Sequence, residues 1–267
     1  MCRYKVYLLL FVAIFFQYFT TLSQITKTVI INGVSVDILT PTDSIKGNIL
    51  VLPGWNYPRN DWCKKSSLCK EALARGYRLI MPEMGKSIYV SQFYPQTRTD
   101  WQKFPTRTWL SDTMISFLQQ NEKILLSNQK NYAIGLSTGA RGVSLILLNH
   151  PQLFNAAVLL SGDYEPTQLP QDNLFKGYYG EYQRFPQRWS GVDNPAKQAS
   201  KYLTPMYLGH GKLDNMVPVA QTELFYDSLR VKNTNLVVIK YIATNHKHDY
   251  NYWDSEVKPA LDFFQKY

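Results

Sequence analysis

The sequence predicts an α/β fold: one domain built on a mostly parallel central sheet, with an antiparallel hairpin at its N-terminal end and helices on both faces. Three observations predict it. From residue 48 onward, segments of strand character alternate with segments of helical spacing, which is the order of a parallel sheet with crossover helices. Asn48-Ile49-Leu50-Val51-Leu52 is a solid apolar run rather than an alternating one, as expected of a strand covered on both faces. Gly135-Leu136-Ser137-Thr138-Gly139 falls where a predicted strand meets a predicted helix.

The elements follow in order. Val29 to Leu39 reads as two β-branched runs around Asn32-Gly33, the strongest short hairpin signal. The run from Asn48 ends in the turn Pro53-Gly54. Ser67 to Arg75 has helical spacing and stops at Gly76, a residue that ends helices at little steric cost. Tyr77 to Met81 is the next strand. Residues 84–108 carry no periodicity and many aromatics. Trp109 to Leu126 places Leu110, Met114, Phe117, Leu118, Ile124 and Leu125 on one helical face. Asn131 to Leu136 is a strand, Thr138 to Leu148 a helix and Asn155 to Leu160 a strand. Residues 163–194 form a second aromatic segment without clear period. Strands over Pro205 to Leu208 and Leu236 to Ile242, and helices over Pro218 to Leu229 and Trp253 to Phe264, complete the chain.

The N-terminus has a different character. Met1 to Lys5 is short and basic, Val6 to Phe16 is apolar without a break, and Thr21-Leu22-Ser23 precedes Gln24. That is the order of a secretory signal peptide, expected to cover residues 1–23 and to leave 24–267 as the folded domain. The apolar core is shorter than the roughly 20 residues that span a bilayer. No stable membrane insertion is therefore expected after cleavage, and the product is expected to be secreted or periplasmic. An uncleaved anchor is the alternative.

Of 267 residues, 45% are hydrophobic and 18% charged, which excludes a disordered chain. Without residues 1–23, the formal charge of +9 becomes +7. The basic residues are dispersed, so nucleic acid is not an expected partner. Cys63 and Cys69 then remain, and in an oxidising compartment the two can pair. The alternative is a buried or free pair. Neither a metal site nor a cofactor is expected. Two cysteines lack the further ligands of a zinc site, His246-x-His248 lacks a third ligand nearby, and Gly85-Lys86-Ser87 has Ile80 where a phosphate loop needs its first glycine.

The chemistry concentrates after the strands, where open parallel sheets hold their sites. In Gly135-x-Ser137-x-Gly139 the glycines permit a sharp strand-to-helix turn that lifts the serine hydroxyl above the sheet. A serine needs a base. His248 and His246 lie after the last strand, where the base is expected in the order serine, acid, histidine. His150 reads as a helix end and His210 as a residue shaping its turn. Asp214, in the turn leading to the helix at 218, is the expected acid. A plain helix cap is the competing reading, and Asp163 is a second candidate. Asp249 is adjacent to His248 in sequence and badly placed to orient it. The backbone N–H groups of Thr138 and Trp55 are the expected oxyanion donors.

These motifs resemble those of the α/β-hydrolases over nearly all of residues 28–267. Within that superfamily the chain is similar to the esterase D-like branch, which includes S-formylglutathione hydrolases and feruloyl and acetyl esterases. Gly211-x-x-Asp214-x-x-Val217-Pro218, His248-Asp249-Tyr250-Asn251-Tyr252-Trp253 and Asp193-Asn194-Pro195 carry the resemblance. It implies that His248, rather than His246, is the base. The chain departs from the branch at Leu52-Pro53-Gly54-Trp55, where His-Gly-Gly is common, and at Ala140-Arg141-Gly142 after the elbow.

The two aromatic segments, about 84–108 and 163–194, follow strands at the active end and are expected to form a cap. The first holds Tyr89, Phe93, Tyr94, Trp101, Phe104 and Trp109. The second holds Phe175, Tyr178, Tyr179, Tyr182, Phe185 and Trp189. Tyr178, Tyr179 and Trp189 are the expected substrate contacts, with packing of cap on body as the competing reading. The leading expectation is a serine hydrolase cleaving a small-molecule or glycan ester through Ser137, His248 and Asp214. A serine peptidase acting on short peptides and a catalytically silent carbohydrate-binding protein are the alternatives.

Overall fold

The structure, a computed structural model, describes residues 24–267; the segment 1–23 lies outside the described residues. Eight strands form one sheet: β1 (Gln24–Ile31), β2 (Val34–Pro41), β3 (Gly47–Leu52), β4 (Tyr77–Pro82), β5 (Asn131–Leu136), β6 (Ala156–Leu160), β7 (Met206–Gly211) and β8 (Val238–Ala243). Their spatial order is β1-β2-β4-β3-β5-β6-β7-β8. β1 and β2 pair antiparallel across Asn32-Gly33, both with positive φ (47° and 80°), as a tight hairpin turn demands. β2 pairs antiparallel with β4, and every later pairing is parallel.

The central strands β3, β5, β6 and β7 are buried along their whole length, so both faces of the sheet are covered. On one face Leu50, Ile80 and Ala133 pack beneath α5 (Thr138–Asn149) and α8 (Ala220–Lys232). On the other, Ile49, Val51 and Ile134 pack against α2 (Leu68–Ala74) and α10 (Val257–Phe264). α1 (Asp61–Lys65) leads into α2, and the Cys63–Cys69 disulfide staples the two, with Cα atoms 5.0 Å apart.

The helix expected over 109–126 differs in its winding and its end. It begins at α3 (Thr106–Thr108), runs through Trp109–Met114 as π-helix, α4 (Ile115–Phe117) and Leu118–Glu122 again as π-helix. It stops where Lys123 turns left-handed (φ 56°) and the Ile124 N–H reaches back to the Leu118 carbonyl. Ile124 and Leu125 are buried as their apolar character demands, but from the turn beyond the helix. The last helix is divided at Glu256 into α9 (Tyr250–Ser255) and α10. Pro259 explains the division, because it has no N–H for the carbonyl four residues back and its ring crowds that turn.

The two aperiodic segments lie together over the carboxyl ends of the strands. Ahead of α3, the first holds a short 3-10 turn, Thr99–Trp101; the second holds another, Pro166–Gln168, then α6 (Asn173–Tyr179) and α7 (Pro186–Trp189). They interlock: Arg98 N–H donates to the Gly177 carbonyl, and Thr97 Oγ1 donates to the Tyr178 carbonyl. Gly177 permits this approach, since a Cβ there would overlap the Trp101 ring. No described helix is long and apolar enough to cross a membrane.

Candidate active site

The site begins with a strained turn. Ser137 joins β5 to α5 with φ 54° and ψ −128°, a conformation that costs about 1–3 kcal/mol for a non-glycine residue. The Ser137 N–H donates to the Leu160 carbonyl of β6 at 2.8 Å, which holds the turn against its neighbour strand. The flanking glycines are required by contact. A Cβ at Gly135 would overlap the Gly139 carbonyl, and one at Gly139 would overlap the carbonyls of Leu52 and Pro53.

His248, in the loop between β8 and α9, places Nε2 2.9 Å from Ser137 Oγ. Its Nδ1 lies 2.6 Å from Asp214 Oδ2. A carboxylate can only accept, so Nδ1 carries the hydrogen and Nε2 keeps a lone pair for the serine O–H. The imidazole and the Trp253 ring lie nearly perpendicular with centroids 5.0 Å apart, a contact that limits rotation of His248.

Asp214 has a fully covered side chain. Its Oδ1 accepts from the N–H groups of Met216 (2.9 Å) and Val217 (2.8 Å), so it also builds its own turn. Its Oδ2 meets a second histidine: His210 Nε2 lies 3.1 Å away and also 3.0 Å from the Val217 carbonyl. Both of these oxygens can only accept, so Nε2 carries the hydrogen, and Nδ1 accepts from the Thr222 hydroxyl, with Oγ1 2.8 Å away. Burial alone would raise the pKa of Asp214. The hydrogen bonds from His210 and His248, the charge of His248 and the Val217 N–H outweigh it and hold the carboxyl well below its ordinary value. His210 shapes its turn, as its sequence position suggests, and it also supports the acid. The four-residue spacing His210 to Asp214 is the only trace of that second contact in the sequence.

The other candidates lie elsewhere. Asp249 accepts from the Tyr252 N–H as the cap of α9. Asp163 does not reach His248 and pairs with Arg141 at 3.3 Å. His246 offers its carbonyl to the Leu213 N–H, and its ring lies against Tyr252. His150 ends α5, its N–H bonded to the Ile146 carbonyl.

The loop after β3 passes beside the serine. A Cβ at Gly54 would lie 3.3 Å from Ser137 Cβ, which brings Trp55 to the mouth of the turn. The next two N–H groups are taken, Asn56 by the Gly85 carbonyl and Tyr57 by the Gly54 carbonyl. The Thr138 N–H opens α5, where a helix has no acceptor of its own for it. Trp55, Ser137, Thr138 and His248 line one cavity of about 890 Å³.

The cap closes that cavity, with a correction to the expected contacts. Tyr178, Tyr179 and Trp189 do not line it; they are 2%, 1% and 0% exposed and form a cluster behind its wall. Tyr178 donates its hydroxyl to the Lys86 carbonyl, Trp189 donates Nε1–H to the Gly180 carbonyl, and the Tyr179 hydroxyl accepts from Arg141. Each large ring buries its body in the cap; Tyr178 and Trp189 find their polar partners there, and Tyr179 finds its partner in Arg141 of α5. Trp55, Trp101, Leu169, Leu174 and Phe175 form the apolar wall instead. The aromatic composition points to both groups alike, and only the tertiary contacts separate them.

Arg141, four residues after the serine, was legible only as a departure from a glycine pair. It is fully buried and joins cap to body. Its Nε donates to the Ile88 carbonyl, Nη1 to Asp163, and Nη2 to the Tyr179 hydroxyl and the Asp193 carbonyl. Asp193 in turn accepts from Arg107 and from Ser91.

A nucleophile-bearing strand-to-helix turn on a mostly parallel sheet, with a histidine on the serine, defines an α/β-hydrolase and a serine hydrolase. The chain belongs to the prolyl oligopeptidase family (Peptidase S9), whose model matches residues 72–267. Among curated proteins it is 30% identical over 111 residues to the diacylglycerol acyltransferase/mycolyltransferase Ag85C of Mycobacterium leprae, covering 41% of this chain and 33% of that protein. The chain thus spans about a third of the length of the curated relatives it matches. Among solved structures it is similar to the fluorophosphonate-binding serine hydrolase F of Staphylococcus aureus, with TM-score 0.71 at 17% identity, over 91% of this chain and 98% of that one. It is also similar to an S-formylglutathione hydrolase of Agrobacterium tumefaciens, with TM-score 0.72 at 13% identity, over 91% and 94%.

Proposed function

We propose that this protein is an exported serine esterase that cleaves a small-molecule or glycan ester through an acyl-enzyme. The observation that carries the reading is the unbroken relay from Ser137 Oγ through His248 to the buried carboxylate of Asp214. Ser137 Oγ attacks the ester carbonyl carbon while His248 Nε2 takes its proton. Asp214 holds the required tautomer and stabilises the imidazolium. The N–H groups of Trp55 and Thr138 receive the oxyanion, helped by the N-terminal end of α5. The tetrahedral intermediate collapses, the alcohol leaves with the proton from His248, and a water activated by the same nitrogen hydrolyses the acyl-serine.

Ester rather than amide chemistry is favoured by the company the fold keeps: an S-formylglutathione hydrolase and a ferulic acid esterase are among similar structures, and the curated relatives are acyltransferases. The family's name favours a second reading, hydrolysis of short peptides. Export is supported by the basic and then apolar residues 1–16 and by the Cys63–Cys69 disulfide, a bond that persists in oxidising compartments. The test is turnover of p-nitrophenyl esters from acetate to laurate beside a panel of aminoacyl p-nitroanilides, with Ser137→Ala as control. Ester turnover lost in the variant is expected. Turnover confined to the anilides would replace the esterase by the peptidase.

A further inference from the structure

One buried ionisable group of the cavity plays no part in the proposed chemistry. Asp163 lies three residues beyond the end of β6, the strand whose Leu160 carbonyl holds the Ser137 N–H, and it lines the same cavity as Ser137. It is 5% exposed. Among the described residues its one side-chain partner is Arg141, whose Nη1 reaches Oδ1 over a long 3.3 Å. Arg141 spends its other donors on the Ile88 carbonyl, the Tyr179 hydroxyl and the Asp193 carbonyl. Oδ2 receives no hydrogen bond from any described side chain. The residue's own backbone N–H also supports the carboxyl, but two donors leave a carboxylate with acceptor positions open toward the cavity it lines, where a substrate donor gains by binding.

We infer that Asp163 is a specificity-determining residue, whose carboxyl takes a hydrogen bond from an uncharged hydroxyl of the substrate, so that the preferred ester is a hydroxylated one. The inference rests on Ser137 being the nucleophile. Charge does not call for an ammonium: Arg141 stands directly behind Asp163 and answers its charge, and of the other charged residues lining the cavity Arg98, itself paired with Asp100, and Asp172 are one of each sign. Protonation points the same way. Burial, opposed by Arg141 and assisted by Asp172, raises the Asp163 pKa to about 7. Both forms of the carboxyl are then present near neutrality. A hydroxyl, being donor and acceptor, pairs with either form; an ammonium pairs only with the anion. The faces of Trp55, Trp101 and Phe175 leave room for a flat or ring-shaped body beside that contact.

The experiment compares kcat/KM for p-nitrophenyl hexanoate, its 6-hydroxy and 6-amino derivatives, and for butyl acetate against 4-hydroxybutyl acetate. Wild type, Asp163→Asn and Asp163→Leu are used, each checked for folding by circular dichroism and for Ser137 by fluorophosphonate labelling. Expected is a preference for the hydroxylated ester on the order of tenfold on at least one side of the ester bond, falling toward parity in Asp163→Leu. Asp163→Asn keeps the shape and the carbonyl acceptor, and is expected to retain part of the preference; it remains informative if the leucine variant misfolds. A labelled wild type with no hydroxyl preference overturns the inference and leaves the esterase reading standing. A preference undiminished in both variants overturns it too, as does a preference for the amino ester. A wild type that is neither labelled nor active overturns the esterase reading itself.

Discussion

Asp214→Asn is the substitution whose consequence the geometry specifies most fully. The carboxylate receives four N–H groups, Met216 and Val217 on Oδ1 and His248 and His210 on Oδ2. An asparagine has one oxygen and one NH2. The NH2 cannot face the two backbone N–H groups, which are fixed by the turn, so it must face the histidines. His248 Nδ1 must then become an acceptor, its hydrogen moves to Nε2, and Nε2–H points at Ser137 Oγ. In that tautomer the serine has no base. A loss in kcat of about 10³–10⁴ is expected, equivalent to about 4–5.5 kcal/mol of barrier. KM should change little, because Asp214 does not line the cavity. His210 can also reverse its tautomer, since the Thr222 hydroxyl turns to accept, but its Nε2 then faces the Val217 carbonyl without a hydrogen. One buried acceptor is orphaned, at about 1–3 kcal/mol of folding stability. Steady-state kinetics on p-nitrophenyl acetate and urea unfolding read the two effects separately. A kcat within threefold of wild type would refute the reasoning, since it would mean that another group sets the tautomer.

Three further outcomes are expected. Ser137→Gly removes the side chain that resists φ 54° and should raise stability by about 1 kcal/mol while abolishing turnover; a lower thermal midpoint would contradict the strain. Reduction of Cys63–Cys69, or Cys63→Ala with Cys69→Ala, opens a small loop and should lower stability by about 2 kcal/mol, seen in urea titrations with and without reductant. The third concerns Asp163, whose folded pKa of about 7 stands above its unfolded value near 4. The folded state binds its proton more tightly, so its contribution is fully present below about pH 4 and is lost as pH rises to about 7, with a slope of at most about 1.4 kcal/mol per unit. Asp163→Asn should lack that slope; an unchanged pH profile of stability would show that burial does not raise the group.

Much of this molecule was legible in its residues, for identifiable reasons. The parallel strands announce themselves because burial on both faces leaves no polar alternation, as in Ile49 to Leu52. The elbow is legible because Gly135 and Gly139 are each demanded by a backbone contact that no side chain survives. The order of Ser137, Asp214 and His248 follows from where strands end. What was not legible depends on long-range packing. Nothing local distinguishes Tyr179, sealed against Arg141, from Phe175, four residues earlier on the same helix and lining the cavity. Arg141 looks like a surface residue until the Ile88 and Asp193 carbonyls are brought to it from segments 53 residues upstream and 52 downstream. The second hydrogen bond of Asp214 needs β7 and the turn beyond it folded together before His210 can reach it.

The central claim is that Ser137 is an activated nucleophile. Intact-protein and peptide mass spectrometry after treatment with a fluorophosphonate tests it most directly, on wild type, Ser137→Ala and His248→Ala. The account expects one adduct per chain, located on the peptide containing Ser137, absent from Ser137→Ala and strongly slowed in His248→Ala. An adduct that persists in Ser137→Ala, or no adduct on folded wild-type protein, would contradict it.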